Sequence, residues 1–276
     1  MSTHALPVLY TLFVWWFSTG LILYLNGLPR HTHKWTMLGA TVLLVLALAG
    51  LASTSDDDGL AASYVAFTCA LLVWAWQEVA FLLGYVTGPR REPCPVGAVG
   101  WRRASCAVQA LLHHELALFV LGGAVLLATS GGDNPVGVSV YLILWIMRQS
   151  AKLNVYFGVR NLNETFLPGH LAYLQTYFRR RSMNALFPVS IVVSTWVAVL
   201  LWRSSAATGL APSEAAGLTF LATLLSLAIL EHWFMVLPLP SEALWHWAMR
   251  SRAPARRDPA QPGTPSGTSA GAAPRV

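Results

Sequence analysis

Nine polar or ionisable side chains interrupt four otherwise apolar stretches of the chain. They are Glu78, then His113, His114 and Glu115, then Arg148, Lys152 and Asn154, then Glu231 and His232. A charge in hydrocarbon costs roughly 2.5–3.5 kcal/mol on insertion scales, so each such residue needs a partner or a task. Four kinds of chemistry are open to the set. The acids Glu78, Glu115 and Glu231 can be offset by Arg148 and Lys152, with Asn154 adding hydrogen bonds that hold helices in register. Glu78, His114, Glu115, Glu231 and His232 can instead offer carboxylate and imidazole ligands to an iron centre, as facing helices do in dinuclear bundles. One histidine can ligate the magnesium of a chlorophyll-type pigment. A relay for protons or ions is the fourth.

Spacing bears on the choice. Arg148 and Lys152 are four residues apart and share a helix face. Di-iron bundles use Glu-x-x-His pairs, which put both ligands on one face. Here the pairs are His114-Glu115 and Glu231-His232, and adjacent residues point about 100° apart on a helix. Two nearby cations also oppose a metal. A single helical histidine is more often packed and hydrogen-bonded than bound to a pigment.

The elements that must position these residues follow from composition. Of 276 residues, 55% are hydrophobic and only 11% charged, well below the quarter or so typical of soluble domains. This predicts an all-α, polytopic integral membrane protein, in contact with the lipid bilayer over most of its surface. Apolar runs of spanning length occur at about 6–25, 36–54, 60–86, 105–129, 136–157, 185–203 and 215–237, each near the ~20 residues needed to cross a bilayer. Seven transmembrane helices in one domain, 1–250, are therefore expected. A tail at 251–276, rich in Pro, Ala, Gly, Ser, Thr and Arg, should be disordered in the cytoplasm.

Apart from Arg148 and Lys152, every Lys and Arg but Arg203 falls on one side of this arrangement, while Asp56, Asp57, Asp58, Asp133 and Glu214 fall on the other. The positive-inside rule then places the N-terminus outside and the C-terminus in the cytoplasm. A net charge of +6 spread over short loops argues for no nucleic-acid partner. Cys69, Cys94 and Cys106 are odd in number and form no CxxC pair, so reduced structural thiols are expected. Counting along each helix from its cytoplasmic end places Glu78, Glu115, Arg148 and Glu231 roughly 9–15 Å inside the boundary, which predicts one polar layer. The segment 170–178 reads as amphipathic and is expected to lie on the membrane surface with its arginines toward lipid phosphates. Most of the twelve tryptophans, Trp15 and Trp16 included, read as an interfacial belt. Trp74 and Trp76, beside Glu78, can line a pocket or pack. Gly-rich phosphate loops, Gly-x-Ser-x-Gly elbows, His-Glu-x-x-His motifs and internal repeats are absent from the sequence.

Several colinear segments are distinctive: Thr87-Gly-Pro-Arg-Arg-Glu-Pro-Cys-Pro95, Met147-Arg-Gln-Ser-Ala-Lys-Leu-Asn154, Phe166-Leu-Pro-Gly-His-Leu171, Arg179-Arg-Arg-Ser-Met-Asn184 and Glu231-His-Trp-Phe-Met-Val-Leu-Pro-Leu-Pro240. With Trp15-Trp16 and Ser18-Thr-Gly20, they resemble the PuhE family of photosynthetic complex assembly proteins from about residue 8 to 250. The resemblance implies a multi-pass protein of the bacterial inner membrane. Its implied partners are subunits of the reaction centre and core light-harvesting antenna, or pigment-synthesis enzymes, and it implies a role in assembly or in bacteriochlorophyll supply. It carries over no catalytic residue. A metal-dependent oxidoreductase acting on a pigment precursor stands as the alternative, with iron rather than bacteriochlorophyll as the bound species.

Overall fold

The computed structural model describes residues 2–162 and 164–251, so the expected tail lies outside the described residues except for Ser251. Each apolar run closes into a helix: α1 (Ser2–Gly27), α2 (His33–Ser53), α3 (Leu60–Leu82), α4 (Gly100–Ala128), α5 (Val136–Phe157), α6 (Leu186–Ser205) and α7 (Pro212–Phe234), followed by the single turn α8 (His246–Met249). Among the described residues all regular structure is helical. Six helices, all but α5 among the first seven, are long and apolar enough to cross a membrane. At 22 residues α5 also has the length, about 33 Å, but Arg148, Gln149, Lys152 and Asn154 lower the hydropathy of its second half.

Helix α3 packs against α1, α2, α4, α5 and α7, and α7 against α1, α3, α5 and α6. Their contact is built from aromatic rings and small residues: Phe67 stacks on Phe220 at 4.6 Å, edge-on to Tyr64, while Ala215, Ala216 and Ala222 are buried on α7. Small side chains let helix backbones approach closely where lipid gives no hydrophobic drive. Outward faces stay apolar, with Leu46, Val120, Leu127, Val192 and Trp196 exposed. Helices α1 and α7 run parallel, tied near one end by His4 Nδ1 and Thr219 Oγ1 (3.0 Å) and near the other by Trp15 and Glu231.

The helices stop at different levels. Beyond the ends of α3 and α7, both α1 and the first turns of α4 continue, and non-helical chain fills the difference. Residues 84–95 run beside α4, where the His114 amide donates to the Thr87 carbonyl (2.8 Å). Gly84, at φ 83°, makes the turn out of α3. The chain after α7 runs beside the second half of α1: Trp16 Nε1 donates to the Leu244 carbonyl (3.0 Å), Trp245 Nε1 to the Trp16 carbonyl (3.1 Å) and Ser251 Oγ to the Tyr24 carbonyl (2.9 Å).

The 158–184 connection differs from expectation. Residues Gly169–Tyr177 form a 3-10 helix, whose three-residue turn puts Leu171, Leu174 and Tyr177 on one side. All three are buried against Phe81, Cys106 and Ala110. The apolar side of the segment is therefore packed on the ends of α3 and α4. Arg103 fixes it by donating to the Tyr177 and Tyr156 carbonyls with its guanidinium 3.9 Å from the Tyr156 ring centre, and Arg90 Nε donates to the Tyr177 hydroxyl (2.9 Å). Cys69, Cys94 and Cys106 are unpaired thiols.

Two expectations test this layer. A Cβ at Gly88 would collide with the Gln109 and Ala110 carbonyls, whereas one at Gly39 meets nothing within 4 Å. Gly88→Ala should therefore cost about 1–3 kcal/mol, as overpacking does, and lower the thermal unfolding midpoint in detergent, with Gly39→Ala leaving it unchanged or slightly raised. Second, burial, then the Arg30 guanidinium, holds the His170 imidazole below the usual histidine range. The folded state thus favours the neutral ring, and this contribution is complete above pH ~6.5 and fades as pH falls toward the folded value. Acidification from about pH 8 to 5 should destabilise the native protein more than the His170→Gln variant in the same unfolding assay.

Candidate functional site

Helix α5 organises the polar layer. Its apolar first half ends at the buried Met147, and the run Arg148, Gln149, Ser150, Lys152 and Asn154 then points to several neighbours. Arg148 Nη2 bonds Glu78 Oε2 on α3 at 3.0 Å, with side chains 37% and 14% exposed. One turn on, Lys152 Nζ bonds Glu115 Oε1 on α4 at 2.6 Å, with side chains 18% and 24% exposed. Gln149 Nε2 takes the second Glu115 oxygen at 2.6 Å, and Gln77 Nε2 the second Glu78 oxygen at 3.1 Å. Each carboxylate thus meets one cation and one amide, the arrangement that makes a partly buried charge tolerable.

The opposite side of α5 carries a neutral network. Ser150 Oγ lies 2.9 Å from both Ser190 Oγ on α6 and His232 Nε2 on α7, while His232 Nδ1 lies 2.9 Å from the Ala228 carbonyl. Asn154 Nδ2 donates to the Ser150 carbonyl (3.0 Å) and Ser190 Oγ (3.2 Å). Asn184, at the entry to α6, donates to Asn154 Oδ1 (3.0 Å) and the Gly158 carbonyl (3.0 Å).

The sequence-predicted residues are therefore distributed as follows. Glu78 joins Arg148, Glu115 joins Lys152, and Asn154 and His232 join through Ser150. Glu231 accepts from Trp15 Nε1 at 2.8 Å. His113 is exposed on the outer face of α4 and joins none of them. His114 is fully enclosed, its ring centre 4.5 Å from that of Phe81, and neither ring nitrogen has a hydrogen-bond partner. Gln77 Oε1, Thr87 Oγ1 and Arg148 Nε are likewise buried and unbonded. Such groups cost about 1–3 kcal/mol each when left without a partner. Among the described residues no three His, Cys, Asp or Glu side chains come together in a way that could hold a metal ion. Trp74 packs edge-on to Tyr141 at 5.7 Å, and Trp76 Nε1 donates to Thr41 Oγ1 at 3.0 Å.

Sequence reasoning passed over Gln77, Gln149, Ser150, Ser190 and Asn184. Gln77 and Gln149 adjoin flagged residues and Ser150 lies between two of them, so the polar run itself was the available signal. Ser190 is an ordinary residue for an apolar helix and gave none. The partner of the Trp15 indole, Glu231, was equally unmarked in the sequence.

Because both members of the Glu115–Lys152 pair are largely enclosed, Lys152→Met should cost on the order of 2 kcal/mol, less than breaking a fully buried pair. Glu115→Gln/Lys152→Met should recover most of that loss, since no unpaired charge remains. Unfolding of the four species in detergent closes the cycle, and equal stability of single and double variants would sink the assignment.

Residues 1–256 match a family model described as "Protein of unknown function (DUF3623)". The chain is 42% identical over 269 residues to a Rhodobacter capsulatus protein described as "Uncharacterized 30.4 kDa protein in puhA 5'region", covering 95% of each sequence. No solved structure matches the chain significantly. A match over nearly the whole length, with a relative this similar, makes the chain a member of the DUF3623 family.

Proposed function

We propose that this protein is a PuhE-type factor of the bacterial inner membrane that assists assembly of the photosynthetic reaction centre and its core antenna, or the delivery of bacteriochlorophyll to them. The observation that carries the reading is the relative from the puhA region, similar along 95% of its length. The resemblance in the loop and span segments agrees with it. We take α5 as a seventh span, which the pairing of Arg148 and Lys152 makes tolerable. An odd number of spans with the basic loops inside puts the N-terminus outside and the C-terminus in the cytoplasm. In this reading the polar layer fixes bundle geometry: each intramembrane cation is matched by an acid on a neighbouring helix, so the layer acts as internal bracing.

Removing the protein from its phototrophic host tests the reading directly. Membranes should then hold less assembled reaction centre and core antenna by near-infrared absorbance and native electrophoresis, with no new pigment intermediate on chromatography. Accumulation of a biosynthetic precursor, together with stoichiometric iron in the purified protein, would replace assembly by a metal-dependent oxidoreductase using Glu78, His114, Glu115, Glu231 and His232. Unchanged complexes and pigments would remove both readings.

A further inference from the structure

Where α5 and α7 end and α6 begins, an open concavity of about 550 Å³ is lined by Arg160, Asn161, Arg180, Arg181 and Ser182. Two short segments build it, one leaving α5 and one approaching α6. They are joined as a parallel bridge between Val159 and Arg180, with the Val159 amide on the Arg179 carbonyl (3.2 Å) and the Arg181 amide on the Val159 carbonyl (3.1 Å). Gly158 sits at φ 123°, where a Cβ would come within 2.8 Å of Arg181 Cγ, so the bare backbone packs on the Arg181 stem. The Asn161 side chain donates to the Phe234 carbonyl (2.8 Å) and its amide to the Met235 carbonyl (2.9 Å), which pins the floor to the end of α7. Asn184 holds the Gly158 carbonyl from the α6 side. The cradle is therefore braced on three helix ends.

Its charge is not balanced. Arg180 pairs with Glu164 at 3.1 Å, but among the described residues neither Arg160 nor Arg181 has a carboxylate partner. Two free guanidinium forks beside a serine hydroxyl match the oxygens and negative charge of a phosphate group, whether a monoester or the diesters of an anionic lipid, and guanidinium groups bind phosphate in two-point fashion. The concavity is open to solvent, so a phosphate held there can carry an organic substituent outward. It lies at the ends of α6 and α7, both long and apolar enough to cross a membrane, and of α5, proposed above as a further span; lipid headgroups sit at that level.

We propose that this cradle is a binding site for a phosphate group, carried either by an anionic lipid or by a soluble phosphate ester. Arg160 and Arg181 are the recognising residues and Arg180, held by Glu164, the positioning one. The site is separate from the intramembrane layer and does not depend on the photosynthetic role.

Native mass spectrometry of the full-length protein in detergent tests it, with cardiolipin, phosphatidylcholine and inorganic pyrophosphate as probes. Cardiolipin should bind in preference to phosphatidylcholine, and Arg160→Gln/Arg181→Gln should weaken it about tenfold or more. Arg91→Gln/Arg102→Gln, which removes two exposed arginines elsewhere on the same side of the bundle, should change it less than about twofold if the effect is local rather than diffuse. Pyrophosphate that binds with the same arginine dependence and displaces cardiolipin assigns the site to soluble phosphates as well, and binding of the lipid alone assigns it to headgroups. Equal loss in both double variants, no loss in the first, or equal binding of phosphatidylcholine would overturn the proposal. If the double variant unfolds, Arg160→Gln alone carries the test, because the Arg160 side chain makes no hydrogen bond among the described residues; it should weaken binding about fivefold.

Discussion

The cost of carrying two partly buried cations on one helix of the bundle governs this structure. Arg148 and Lys152 lie one turn apart on α5, and neither can be left unpaired inside the bundle. Because each carboxylate sits on a different helix, Glu78 on α3 and Glu115 on α4, satisfying both cations fixes two neighbours against α5 at once. The same turns of α5 present Ser150 and Asn154 to the other side, where they set α6 and α7 through Ser190 and His232. Apolar packing tolerates many rotations and slides of one helix on another. Directional bonds at several angles around one helix do not, so these polar groups select one arrangement at some expense in stability.

The second constraint is backbone hydrogen bonding. In hydrocarbon only closed helices satisfy their own amides and carbonyls, and irregular chain is tolerated where protein covers it. The ends of α3 and α7 are followed by such chain, and each stretch finds partners: Thr87 on the His114 amide, residues 244–251 along α1, Asn161 on the carbonyls after Phe234. Glycine is required where that chain lies closest, at Gly88 against the α4 backbone. The unequal helix lengths are thus coupled to a layer of fitted loops.

The long apolar runs and the existence of a polar layer were legible in the sequence because both follow from hydropathy, which reports burial directly. Depth counting worked only in part. Glu78 and Glu231 lie about one turn from the ends of their helices, but Glu115 lies about four turns into α4. Glu78 and Glu115 nevertheless meet neighbouring turns of α5 because the helices are staggered, which no count along one helix reveals. Partner choice was equally hidden. The spacing of Arg148 and Lys152 showed that they are neighbours, but only the packing of three helices decides that one meets Glu78 and the other Glu115. The protein partner of the 170–178 segment was hidden because an apolar side suits a lipid surface and a protein surface equally, and the three-residue period that buries Leu171, Leu174 and Tyr177 depends on a helix type that composition does not specify.

The polar layer and the arginine cradle share one structural support. Asn184 donates to Asn154 inside the bundle and to the Gly158 carbonyl at the cradle, and Asn154 continues to Ser150, Ser190 and His232. Contiguity of this kind does not by itself transmit a signal. Its physical consequence is that the chain leaving α5 is held before any ligand arrives. Ordering loops and side chains is a main cost of binding, and a cradle already fixed by α5, α6 and α7 avoids much of it. The bonds that align α5, α6 and α7 therefore also set the position of Gly158, and with it the direction in which Arg160 and Arg181 extend. A loop of the same composition without Asn184 and Asn161 would present the same charges with no defined geometry, and would attract anions only as diffuse surface charge does.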